Sequence, residues 1–89
     1  MTIYITSSGY NNPGTFKIKY VMAVASADTA QITLTDSAGV PFYQSETSIA
    51  NDRNLTPIYM GGHQVTGIKT ATWANVEAVI LGVDIVNTN

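Results

Sequence analysis

The sequence predicts an all-β domain: a compact antiparallel β-sandwich or jelly-roll-like barrel of about six to eight short strands, with little or no helix. Three observations carry this. Val, Ile and Thr make up 29 of the 89 residues, and β-branched side chains lose χ1 freedom in a helix but pack well on a pleated surface. Apolar residues recur at period two in several runs, the alternation of a half-buried strand. Clusters of Gly, Pro, Asn, Asp and Ser separate those runs at the spacing of a small sandwich. A chain of 9.5 kDa supports one core, so residues 1–89 are read as a single domain, with 1–12 a candidate contact arm.

Thr2–Thr6 is a short β-run. Ser7–Gly14 (SSGYNNPG) is dense in turn formers, and Asn12-Pro13-Gly14 predicts a tight turn. Thr15–Ala25 gives the clearest strand, with Phe16, Ile18, Tyr20, Met22 and Val24 on one face and Lys17 and Lys19 on the other. That second face turns apolar midway, at Val21, Ala23 and Ala25, so something covers its far end. Ser26–Thr29 is a turn. Ala30–Asp36 alternates with Ile32 and Leu34 inward, and Asp36–Gly39 forms a hairpin loop into Val40–Gln44. Pro41 has no N–H to donate, which places this strand at an edge or starts it irregularly. Residues 45–54 form a long polar loop anchored by Ile49. Leu55–Met60 is a strand ended by Gly61-Gly62-His63. Gln64–Trp73 follows, and Gly67 within it marks a bulge or a close backbone approach. Ala74-Asn75 turns the chain into Val76–Val86. This last strand is apolar on both faces, with Val79, Leu81, Val83 and Ile85 on one and Val76, Ala78, Ile80 and Val86 on the other. Such a strand is central in its sheet, or one face meets another subunit.

Charge narrows the function classes. Charged residues are 11% of the chain and the net charge is −2, against roughly 25% charged in an ordinary soluble domain. Four basic residues do not make the dense footprint that nucleic-acid binding needs. The absence of cysteine excludes a disulfide scaffold and thiol catalysis. The N-terminal sequence has no basic and apolar signal-peptide pattern, and the most apolar run, Val76–Val86, is too short to span a bilayer as a helix. Synthesis in a cytoplasm without a signal peptide is expected.

The residues of chemistry are sparse and scattered. His63 is the sole histidine, beside two glycines in an expected loop, and no G-x-S-x-G elbow accompanies it. Asp28, Asp36 and Asp52 fall in expected turns, where aspartate caps its own backbone. Glu77 and Asp84 interrupt the last strand as guards against aggregation. Asn51–Asn54 lacks the spacing of a calcium loop, and Arg53 would repel the ion. No phosphate loop is present. Phe16, Tyr20 and Phe42 are assigned to the core by period. Tyr10 and Trp73 are the candidates for an exposed ligand platform, with His63 beside them in a glycan- or peptide-binding alternative. The expectation is a non-enzymatic protein with no cofactor, metal, membrane, nucleic-acid or small-molecule substrate partner. Its low charge fits a surface that meets other protein, since interface cores are depleted of charge.

The runs F-K-I-K-Y-V-M-A-V-A, Q-I-T-L-T-D-S-A-G and V-T-G-I-K-T-A-T-W together resemble small all-β virion proteins of tailed bacteriophages. The shared cadence is carried here by Ile18, Ile32, Leu34, Asp36, Gly39, Pro57, Ile58, Gly67 and Ile68. The resemblance implies a capsid cement (decoration) protein or a neck or tail structural protein, located in the virion. It also implies a homo-oligomer, with a trimer favoured, bound to the major capsid or another virion protein. Subunit and partner contact is expected at Ile3, Tyr4 and Ile5, and at Val79, Leu81 and Val83 on the last strand. Lys17, Lys19 and Arg53 are expected to meet an acidic partner surface.

Overall fold

The computed structural model describes residues 1–27, 29–47 and 58–86. Asp28, the loop expected around Ile49, Arg53, Leu55–Pro57 and the last three residues lie outside them. The described chain is all β, with six strands: β1 (Thr2–Ile5), β2 (Asn11–Ala25), β3 (Ala30–Thr35), β4 (Pro41–Thr47), β5 (Ile58–Ala74) and β6 (Val76–Ile85). They form one antiparallel sheet in the order β1-β6-β2-β5-β3-β4. The fold class is therefore the expected one, a small sandwich-like all-β fold. β6 is interior, between β1 and β2, and β4 is an edge strand that also begins at Pro41, so both readings of that proline hold.

Strand length departs from expectation. β2 runs 15 residues and β5 runs 17. The break anticipated at Gly61-Gly62-His63 is absorbed inside β5, because both glycines take positive φ (62° and 83°) and keep the strand paired across an irregularity. Asn12-Pro13-Gly14 likewise lies inside β2 as a register shift, with Asn12 Oδ1 accepting the Gly14 N–H at 3.1 Å.

The sheet closes on itself because β5 changes partner. Ile58 to Lys69 runs beside β2, and Lys69 to Ala74 runs beside β3. Gly67, at the corner, has φ +92°, and Ser37 Oγ occupies the place a Cβ would take. The close approach expected of Gly67 is thus the approach of the β3–β4 hairpin, fixed by Ser37 N–H donating to Thr66 O at 2.9 Å. That hairpin is held by Asp36, whose Oδ1 accepts from the N–H groups of Ala38 and Val40, each at 2.9 Å. Asn75 alone separates β5 from β6 and takes φ 55°. The two halves of the sheet thereby face one another across one core, which includes Ile3, Ile5, Phe16, Ile18, Val21, Ile32, Leu34, Tyr43, Ile68, Val79, Leu81 and Val83.

Face assignment in β2 is the main correction to the periodic reading. Phe16 and Ile18 point into the core, but so do Val21, Ala23 and Ala25. Lys19 is the reason. Ile18 pairs with Val83 and Tyr20 with Gly82, so Lys19 is one residue without an opposite number on β6. A β-bulge of this kind shifts the alternation by one. Tyr20, Met22 and Val24 consequently leave the core and sit on the outer face, half-buried. The midway change from lysines to apolar residues was the mark of that shift.

Candidate interaction surface

On the outer face, register brings together residues that are distant in sequence. Tyr4, Ile80 and Met22 stand in one row across β1, β6 and β2. Thr2, Gly82, Tyr20 and Tyr59 make the next row, and Ala78 stands beside Val24. The Tyr20 ring lies over Gly82, where any Cβ would meet ring carbons. It also meets Tyr59 at a centroid distance of 6.4 Å and an interplanar angle of 60°, within the range of tilted aromatic pairs. Tyr59 is 79% exposed and Tyr4 65%. The result is an outer face of aromatic, aliphatic and threonine side chains, with exposed Glu77 beside Ala78 at one end and a cluster of charges at the other.

That cluster lies on β2 and β6. Lys17 is exposed and pairs in register with Asp84 on one side and Gln64 on the other. Lys19 Nζ lies 3.2 Å from Asp84 Oδ1, both side chains being more than half exposed. The bulge that expels Tyr20 from the core therefore also places Lys19 over Asp84. An apolar centre with a polar rim is the anatomy of a protein–protein contact.

The structure divides the expected contact residues. Tyr4 is on the surface, but Ile3 (7% exposed) and Ile5 (1%) point into the core. Val79, Leu81 and Val83 are fully buried at 0% and cannot meet another subunit in the folded chain. The physical reason is the folding over of the sheet, which turns Val79, Leu81 and Val83 onto the shared core and leaves Ala78 and Ile80 on the outer face, while Ile85, beyond the cover, is exposed. The expected arm, 1–12, contains a paired strand, extended by mutual hydrogen bonds between Met1 and Val83 at 2.9 Å. Lys17 and Lys19 are on the surface, while Arg53 lies outside the described residues.

The expected ligand platform is not assembled. Tyr10 and Trp73 are half-buried and pack against the core instead of standing free. Tyr10 Oη accepts a hydrogen bond from Asn12 Nδ2 at 3.1 Å. Trp73 pairs with Ile32 on the β3 side of β5, whereas His63 pairs with Ile18 on the β2 side, with the Gly67 corner between them. His63 is exposed on a strand rather than in a loop. Among the described residues, no three His, Cys, Asp or Glu side chains are grouped to hold a metal ion. Tyr20, Met22, Tyr59 and Ile80 were not anticipated as surface residues. The signal that could have found Tyr20 and Met22 is the change of character along the face of Lys17 and Lys19. No family model, curated protein or solved structure matches the chain.

Proposed function

We propose that this chain is a non-enzymatic structural protein of a tailed-bacteriophage virion, a capsid cement protein that binds copies of itself and bridges capsid subunits. The observation that supports this is the outer face with an uncharged centre at Tyr4, Ile80, Met22, Tyr20 and Tyr59, rimmed by Lys17, Lys19 and Asp84 at one end and by Glu77 at the other. Its dimensions suit the role. Three strands about 33 Å long and the shorter β1 of about 13 Å, spaced about 4.8 Å apart, cover roughly 500 Å² in plan, before side-chain relief, against about 800 Å² per partner in a standard interface. A neck or tail position rests on the same surface. The mechanism is additive: modest contacts, repeated over a multivalent lattice, hold neighbouring capsid subunits together.

The test is composition of purified particles. The reading expects this chain in intact virions in near-stoichiometric ratio to a major structural protein. Dissociating it should lower the temperature at which heads release their DNA, whereas loss of tail attachment instead would assign the neck or tail. Absence from purified virions overturns the proposal.

A further inference from the structure

The segment Thr2-Ile3-Tyr4-Ile5-Thr6 reads the same in both directions, and among the described residues it lies at an open edge of the sheet. The hydrogen-bond phase of that edge is fixed. Met1 and Val83 exchange both backbone bonds, so along the Thr2↔Gly82 to Ile5↔Val79 register the bonded pairs are those of Ile3 and Ile5. The N–H and C=O of Thr2 and Tyr4 therefore point away from β6, along the free edge, by the alternation of antiparallel ladders. Continuation of the same phase gives Thr6 the same direction.

We propose that β1 pairs antiparallel with β1 of a second copy, about a two-fold axis through Tyr4. This rests on the assembly reading above and names the contact. In that register Tyr4 meets Tyr4 of the second copy as a bonded pair, and Thr2 meets Thr6 on either side. All the outward-pointing groups are then used at once. The palindrome makes each cross-strand pair one of like residues: Thr on Thr, Ile on Ile, Tyr on Tyr. Threonine and aromatic pairs are favourable neighbours on one face of an antiparallel ladder. A two-fold contact sets its central residue against itself, so a charged centre would repel, and Tyr4 does not. The inner face stays consistent as well, since Ile3 and Ile5 continue the core side.

The other end of the sheet is built differently. β4 begins with Pro41, a residue that discourages edge pairing. β1 has no charge, no proline and no bulge. Pairing there joins two six-stranded sheets into one of twelve strands and makes the two outer faces continuous, with Ile80 and Met22 of each copy flanking the tyrosine pair.

The test uses the full chain. Native mass spectrometry and sedimentation from low to high micromolar concentration should show a monomer–dimer equilibrium. The chain lacks cysteine, so Tyr4→Cys introduces a single thiol. Bonded pairs place Cα atoms about 5.5 Å apart, with Cβ atoms too widely spaced for an unstrained disulfide, so a short bis-maleimide cross-linker should convert most of the chain to a covalent dimer. Ala71→Cys, exposed on β5, should not cross-link. Tyr4→Lys should weaken the dimer about tenfold or more by setting two ammonium groups against each other. Because the Tyr4 side chain is exposed, its thermal melt by circular dichroism should stay that of the parent at monomeric concentrations. No cross-link from Tyr4→Cys beyond the Ala71→Cys level, or an oligomer indifferent to Tyr4→Lys, overturns the pairing. If the chain is nonetheless present in virions, for example as a trimer, the assembly reading stands and only this contact falls.

Discussion

Gly67 takes φ +92° while backbone and side-chain atoms of Ser37 fill the position of its missing Cβ. Both conditions admit only glycine. Gly67→Ala should cost about 3 kcal/mol or more, combining left-handed strain with a steric clash. Ser37→Gly should not restore the loss, because Ser37 N also lies at 2.8 Å from that position. Chemical denaturation of the single and double variants measures this. The face reversal in β6 has its own signature at this scale. Leu81→Ala should lose about 2–5 kcal/mol as a core truncation, whereas Tyr4→Ala should change monomer stability by about 0.5 kcal/mol or less. If Leu81 were the contact residue and Tyr4 the buried one, the order would reverse. The Lys19–Asp84 ion pair is exposed on both sides, so Asp84→Asn should shift stability by no more than about 1 kcal/mol, and by less in high salt.

At the scale of elements, the bulge in β2 decides which side chains the protein shows. With Lys19 counted as the extra residue, Phe16, Ile18, Val21, Ala23 and Ala25 form one inward series. Deletion of Lys19 therefore leaves that series intact against β6. The variant should retain a cooperative melt, at a loss on the order of 1–2 kcal/mol. Deletion of Ala23 has no such escape. It sends Val24 inward and Ala25 outward against a fixed partner strand, and cooperative unfolding should disappear. Far-UV circular dichroism melts of the two deletions distinguish a bulge at Lys19 from uninterrupted alternation. β5 shows the same principle in longer form: positive-φ glycines at Gly61, Gly62 and Gly67 let one strand serve two partners.

For the whole molecule, the low charge and the outer face belong together. A contact made by Tyr4, Ile80, Met22, Tyr20 and Tyr59 derives its free energy from apolar burial, which salt does not screen. The β1 edge is uncharged as well, so self-association through it should hold or strengthen between about 0.1 and 0.5 M sodium chloride, a range over which an ion-paired contact weakens by screening. Sedimentation at the two salt concentrations measures this. Ile80→Lys should abolish particle incorporation while leaving Leu81 and the core in place.

Much of this was legible in the residues. β-branched excess, alternation and turn chemistry determined an all-β chain, the Asp36–Gly39 hairpin, the exclusion of Pro41 from a strand interior and the special character of Gly67, because each depends on local backbone preference. The palindrome at Thr2–Thr6 was equally present in the sequence, but it acquires meaning only once β1 is known to lie at an edge with Tyr4 facing outward. Which face of β6 is buried, and on which side Tyr20 and Met22 fall, was decided by tertiary structure. Alternation specifies that two faces differ and does not say which one closes on the core. One unpaired residue, Lys19, reverses the answer for everything after it in the strand, and its presence is set by pairing with strands far away in the chain.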